Sequence, residues 1–276
     1  MRELYVSFGA FIGRYNGRNP DKMFEIAESI TCDGFEFMMY NDWYPEIDGI
    51  IRRVTDKSLP IKTFHADKLI GEFASLGDFS EARARMKKNC EYAHALGADK
   101  IILHLWNGKP SDNDFENNIK VFPYLYEYAD SLGMELLPEN VVCAIGSPID
   151  RLLELSDIYP YAKFTFDTKM SAFHDELDAV YLPERRRIWD GRVSHIHLND
   201  YSGGYKNWST LKTLHIGRGD IDFDKFFSFI KSVNYSGTYT LECSSLTETG
   251  ELLLADMQES VETARKYIEN AKGDKI

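Results

Sequence analysis

Short β-rich segments alternate with longer amphipathic ones along the whole of this chain, and that alternation constrains the fold more than any single motif. Strand-like runs fall at residues 4–10, 34–39, 60–65, 100–105, 134–139, 162–167, 193–198 and 237–243. Helical spacing predicts helices over 21–30 (behind the start signal Asn19-Pro20), 46–57, 79–96, 114–132, 148–158, 176–189, 223–233 and 251–271, with a loop after residue 65. Gly133 is placed to cap the fourth of these and Pro160 to stop the fifth. Eight βα units in a chain of 276 residues are the signature of a parallel (β/α)8 TIM barrel. A doubly wound sheet competes, but it has no reason to stop at eight units. No linker or low-complexity run interrupts the pattern, so one domain is expected over residues 1–276. The helices vary too much in length for a solenoid.

Composition weighs against several classes of function. The formal net charge is −12, which opposes the basic footprint of a nucleic-acid binder. No apolar run approaches the roughly 20 residues of a membrane span. Met1-Arg2-Glu3-Leu4-Tyr5 enters a strand at once, without a signal-peptide pattern. Cys32, Cys90, Cys143 and Cys243 are scattered without paired spacing, as reduced thiols of a cytoplasmic protein would be. Homo-oligomerisation stays open.

The seventh strand, Val193-Ser194-His195-Ile196-His197-Leu198, ends in Asn199-Asp200. Alternation puts His195 and His197 on one face and Ile196 and Leu198 on the other. The Asn-Asp turn signal leaves His197 at a rim, while His195 sits one layer deeper, where a supporting hydrogen bond is expected. Strands three to eight close on His65, His104, Glu139, Asp167, His197 and Glu242, all of them metal-ligand types. Parity pairs Glu139 with Leu137, Asp167 with Thr165 and Glu242 with Thr240, opposite the bulkier apolar sets. If those sets pack on helices, all three carboxylates point to the barrel axis. Active sites of such barrels lie at the C-terminal strand ends. Three carboxylates and three imidazoles on one rim repel and desolvate one another without a cation, so a divalent metal is expected. Oxygen-rich ligation with one or two imidazoles suits Mn²⁺, Zn²⁺ or Co²⁺, with Mg²⁺ also compatible.

Further residues at the same ends are candidates for substrate contact: Glu36 on strand two, Trp106 beyond His104, Lys169 beyond Asp167, and His215 and Arg218 around Gly217-x-Gly219. That Gly-x-Gly lacks the third glycine and helix of a dinucleotide site and is read as a turn.

The series Phe-His-Ala-Asp at 64–67, Leu-His at 103–104, Pro-Glu-Asn at 138–140, Phe-Asp-Thr at 166–168, His-Leu-Asn-Asp at 197–200, Gly-Arg-Gly-Asp-Ile at 217–221 and Leu-Glu-Cys at 241–243 resembles the xylose isomerase-like barrel superfamily. That superfamily joins sugar isomerases and epimerases of the tagatose 3-epimerase type, inosose dehydratases and endonuclease IV. The resemblance implies one divalent ion ligated by Glu139, Asp167, His197 and Glu242. Glu139 and Glu242, two carboxylates on well-separated strands of one barrel mouth, are then the expected catalytic pair, one as base and the other as acid. It places His65 and His104 where endonuclease IV holds further zinc, with Glu139 bridging. Against the endonuclease pattern, Met170 stands where Asp-Thr-x-His has its histidine, and the acid-and-imidazole pair ahead of the Gly-x-Gly is absent.

The leading expectation is therefore a metal-dependent isomerase or epimerase acting on a small ketose, sugar phosphate or inosose. The alternatives are a zinc-dependent abasic-site endonuclease, an inosose-type dehydratase and a non-catalytic sugar-binding barrel. A small-molecule sugar or polyol is the expected partner, not nucleic acid or membrane.

Overall fold

A computed structural model of the chain describes residues 2–270. Eight strands are present: β1 Leu4–Ser7, β2 Gly34–Met38, β3 Ile61–His65, β4 Lys100–Leu103, β5 Glu135–Pro138, β6 Phe164–Asp167, β7 Val193–Leu198 and β8 Thr238–Leu241. They hydrogen-bond in the order β5-β4-β3-β2-β1-β8-β7-β6. The helices between and after them are α1 Lys22–Ser29, α2 Ile47–Asp56, α3 Leu69–Ser75, α4 Phe79–Ala95, α5 Phe115–Ser131, α6 Pro148–Ile158, α7 Thr168–Phe173, α8 Pro183–Arg186, α9 Phe223–Ser232 and α10 Leu254–Asn270. One or more helices follow each strand, the arrangement of a (β/α)8 TIM barrel. No helix among the described residues is long and apolar enough to cross a membrane.

The chain groups into two compact units, Glu36–Thr165 and Met1–Phe35 with Phe166–Ile276. In the first, β3 to β5 pair in parallel register, His65 opposite Ile102 and Leu103 opposite Pro138. An isolated parallel bridge then joins Glu139 to Thr165 of β6. Phe37 stacks on Phe64 at 5.3 Å to fill the space behind β2 and β3. In the second unit β7 and β8 pair with His197 opposite Thr240 and Leu198 opposite Leu241, and β1 pairs on the other side of β8. Phe166, Trp189 and Phe226 pack together under α9, whose buried face is Phe223, Phe226, Phe227, Phe229 and Ile230. Helix starts follow local chemistry: Asp78, Ser147 and Asp222 accept from Glu81, Asp150 and Lys225 backbone N–H groups at 3.1, 3.1 and 2.9 Å.

Three local expectations are corrected. The strand expected over 4–10 stops at Ser7, because the Ser7 hydroxyl accepts from Gly9 N–H and turns Phe8–Ala10 into a 3-10 helix. The loop expected after His65 contains α3, whose Gly71 lies so close to the His104 carbonyl that a Cβ would collide with it. The helix expected over 176–189 breaks into the 3-10 turn Ala179–Tyr181, the single turn α8 and a second 3-10 turn, Arg187–Trp189. Pro183 is the cause: it forces Leu182 extended, at φ −75° and ψ 147°. Of the last expected helix, residue 271 lies outside the described residues.

Candidate active site

In the unit formed by residues 36–165, His65 ends β3, His104 follows β4 and Glu139 follows β5. Glu139 is fixed there by its backbone N–H, which donates to Leu103 O at 3.0 Å. All three side chains are buried, and one ligand atom from each lies within 4.8 Å of the others. His104 Nε2 is 3.0 Å and His65 Nε2 3.5 Å from the same Glu139 Oε2, and the two rings meet edge to face at 4.8 Å. His65 Nδ1 lies 3.0 Å from Ala66 O, a contact that only a protonated Nδ1 can make. A neutral His65 then turns its Nε2 lone pair toward a carboxylate oxygen, a repulsion that a proton or a cation between them removes. An imidazole whose far nitrogen donates to a carbonyl is also the common arrangement of a metal ligand. Burial, with the nearby Lys68 charge, pushes the His104 imidazole down to about 4 despite Glu139, so it is neutral at physiological pH.

In the other unit Asp167, His197 and Glu242 come together from the ends of β6, β7 and β8, again with ligand atoms within 4.8 Å of one another. The parallel register explains the pairing of the last two. His197 lies opposite Thr240, and Glu242, two residues on, returns to the same face with its N–H bonded to Leu198 O. His197 Nδ1 is 3.4 Å from Glu242 Oε2. Asp167 and His197 are fully buried, whereas Glu242 keeps 16% of its side chain accessible and is the open corner of the group. Asp167 Oδ1 accepts from Met170 N–H at 2.7 Å and Oδ2 from the Asn199 amide at 2.9 Å. Asn199 Oδ1 in turn accepts from the Thr168 hydroxyl and from Lys169 N–H. Two carboxylates and an imidazole this close in a buried setting fit a divalent cation, whose charge offsets both the repulsion and the lost hydration.

The remaining candidates are placed as follows. His195 bridges the Thr238 and Thr240 hydroxyls at 2.7 and 2.9 Å, a supporting position one layer below His197. Glu36 is buried and accepts from the Thr63 hydroxyl at 3.0 Å. Trp106 is fully buried, donates to Val141 O at 3.1 Å and meets Phe115 edge to face, so it packs the loop and shows no open face. His215 has both ring nitrogens engaged, Nδ1 with Ser260 and Nε2 with Ser245, and burial lowers its proton affinity. Arg218 is exposed and holds Asp256 and Glu259. Lys169 is buried, with its ammonium on the Thr213 hydroxyl at 3.0 Å. The Gly217-x-Gly219 turn wraps Asp200, which takes the N–H groups of Gly217, Gly219 and Ile221.

Two residues of consequence were not candidates on sequence grounds, Asn199 and Thr213. In the sequence Asn199 reads only as a turn residue after β7, although its place in the His-Leu-Asn-Asp run is a usable signal. Thr213 carries no signal that would have found it.

The sequence profile of the family described as xylose isomerase-like TIM barrel matches residues 24–269. An uncharacterized protein of Methanocaldococcus jannaschii is 25% identical over 190 residues, covering 65% of this chain. The match spans 59% of the length of that curated relative. Among solved structures, a D-tagatose 3-epimerase-like protein superposes with a TM-score of 0.70 at 19% identity, with 98% of each chain covered. A D-allulose 3-epimerase from Methylomonas sp., in complex with D-allulose, gives 0.69 at 16% identity, again with 98% of each chain covered. An L-ribulose 3-epimerase gives 0.66 at 14% identity over the full length of both chains. At these identities the likeness is one of fold.

Proposed function

This chain belongs to the xylose isomerase-like TIM barrel family, and on that premise we propose that it is a metal-dependent isomerase or epimerase of a small sugar or sugar-like polyol. The observation that carries the reading is the buried convergence of Asp167, His197 and Glu242 within 4.8 Å. We assign Glu139 as the fourth ligand, following the motif series. A divalent cation in that set, Mn²⁺ or Zn²⁺ before Co²⁺ or Mg²⁺, supplies Lewis acidity toward a carbonyl and its neighbouring hydroxyl. Glu139 and Glu242 then exchange the proton on the carbon between those oxygens, one as base and the other as acid. Neutral His104, with His65, hydrogen-bonds substrate hydroxyls, and Asn199 keeps Asp167 turned inward. The same proton removal followed by loss of a β-hydroxyl would make the enzyme a dehydratase, a neighbouring outcome of one site.

The test is solvent-deuterium incorporation into a panel of ketoses and inososes, run with Mn²⁺ and with chelator. Metal-dependent exchange into at least one compound is expected. Absence of exchange from all of them would remove the proposal, and retained binding without exchange would point to a sugar-binding barrel.

The His65, His104 and Glu139 group also supplies three ligands for zinc, which favours one second reading, an abasic-site endonuclease. It requires at least two zinc ions per chain and incision of an abasic duplex at low salt, where basic contacts act most strongly. The net charge of −12 weighs against it.

A further inference from the structure

Lys169 is the one lysine or arginine that falls in the buried class among the described residues, with 8% of it exposed. A lysine ammonium brings three N–H donors and a positive charge. Here it makes one hydrogen bond, to the Thr213 hydroxyl at 3.0 Å, and no described carboxylate pairs with it. Other cations of the same unit are answered by acids: Lys225 by Asp178 at 2.8 Å, Arg265 by Asp33 at 3.0 Å, Arg185 by Glu176 at 3.1 Å. A chain with 44 acidic against 32 basic residues thus leaves the most buried of its described lysines and arginines without a described counter-charge. Buried charges are ordinarily paired, because lost hydration is otherwise uncompensated.

The position of Lys169 gives the missing partner a place. Its backbone N–H donates to Asn199 Oδ1, the amide that also holds Asp167. Its ammonium rests on Thr213, whose carbonyl accepts from Ser244 N–H, two residues beyond Glu242. Lys169 is therefore tied through Asn199 to Asp167, and through Thr213 to Ser244 in the segment that follows Glu242.

We propose that the sugar substrate carries an oxyanion, a carboxylate or a phosphate, and that Lys169 is its counter-ion. This rests on the sugar isomerase or epimerase reading and narrows it to charged substrates. The oxyanion accepts the two ammonium N–H groups that Thr213 leaves unused and supplies the absent negative charge. A neutral ketose would leave both needs unmet.

The test is calorimetric binding to the Mn²⁺-loaded full chain of three probe classes: ketose phosphates (D-fructose 6-phosphate, D-ribulose 5-phosphate), a keto-sugar acid (5-keto-D-gluconate) and the neutral parents (D-fructose, D-ribulose). Truncating one partner of a buried charge pair corresponds to a loss of about 30-fold or more in affinity. At least one charged probe is therefore expected to bind about 30-fold tighter than its neutral parent. Preference for the phosphates or for the acid then identifies the oxyanion. Lys169→Met should bring the charged-to-neutral ratio close to one, and Lys169→Arg should retain part of it. Equal binding of charged and neutral probes by the unaltered protein overturns the proposal, whether or not the methionine variant folds. So does a preference that survives Lys169→Met. Charged-probe preference without deuterium exchange would instead refute the reaction assigned above while leaving this contact standing.

Discussion

The side-chain amide of Asn199 donates to Asp167 Oδ2 at 2.9 Å, joining the end of β7 to the end of β6 across 32 positions of sequence. The same Asn199 is held by Thr168 and Lys169, so its orientation is fixed from both sides. Residues that orient a metal ligand in this way typically contribute 10- to 100-fold in metal affinity. Asn199→Ala should therefore weaken Mn²⁺ binding by about 10- to 100-fold while the far-ultraviolet spectrum stays native. Asn199→Asp should weaken it further, since a carboxylate would then face a carboxylate. Chelator competition reads both values, and a dissociation constant unchanged in the alanine variant would remove this role.

Asp167 and His104 are expected to separate the ion from the substrate. Asp167→Ala deletes a buried carboxylate from the proposed ligand set and should leave the purified protein without bound metal. His104→Ala removes an imidazole that can hydrogen-bond substrate while neutral, so metal content should persist and sugar binding should weaken. Elemental analysis of the two variants decides the matter. If the ion survives the first substitution and is lost with the second, it belongs to the ends of β3 to β5 and the proposed ligand set is wrong.

The barrel and the gathering of candidate ligands were legible in the sequence because residues at barrel strand ends are encoded by position along short β-like runs. β7 spans Val193–Leu198 as its alternation predicts, and the two histidines differ in depth as expected, His195 bridging threonines below His197. What the sequence did not disclose depends on contacts between distant segments. Asn199 reads as an ordinary turn residue until its amide is seen on Asp167. Lys169 reads as a candidate substrate contact beyond Asp167, but nothing in its neighbours states that α7 turns it inward onto Thr213. Trp106 reads either as a substrate contact or as a loop-packing ring, and the fold decides for packing by closing Val141 and Phe115 over it. Gly71 hides α3 from periodicity, and the same missing side chain lets that helix touch the His104 carbonyl.

The depressed proton affinity of His104 gives stability a sign with pH. The folded-state value of about 4 lies below the ordinary 6.5, so between these pH values the unfolded chain binds the extra proton and the folded one does not. The contribution of the neutral ring is fully present above about 6.5 and is lost as pH falls toward 4. The total is on the order of 3 kcal/mol. Urea midpoints of the metal-free protein at pH 7 and 4.5 should therefore differ more for the unaltered chain than for His104→Gln, which has no such proton to take up. An NMR titration of His104 with a midpoint near 6.5 would contradict the assignment.

Asp200 should prove a structural carboxylate whose loss is felt at the substrate. Its Oδ2 accepts from Gly217 and Gly219 N–H, both at 2.9 Å, and its Oδ1 from Tyr201 and Ile221 N–H at 2.8 and 3.1 Å. Its backbone also exchanges hydrogen bonds with Leu214 in both directions at 2.9 Å. The loop around Thr213 is thus moored by Asp200 to the segment that follows β7, with Asp220 N–H on Tyr201 O as a further tie, and Gly219 has no room for a Cβ beside the carboxylate. Asp200→Ala leaves the buried Tyr201 N–H and three part-buried N–H groups without their acceptor, so a loss of about 2–4 kcal/mol in unfolding free energy is expected. Asp200→Asn keeps one oxygen but turns an NH₂ group toward two donors, and should lose roughly half as much. Because Thr213 carries the Lys169 ammonium and none of the proposed metal ligands, the asparagine variant should raise KM for a charged sugar while leaving the Mn²⁺ dissociation constant within about threefold. Equal losses in metal and substrate affinity would show that the loop supports the ligand set itself.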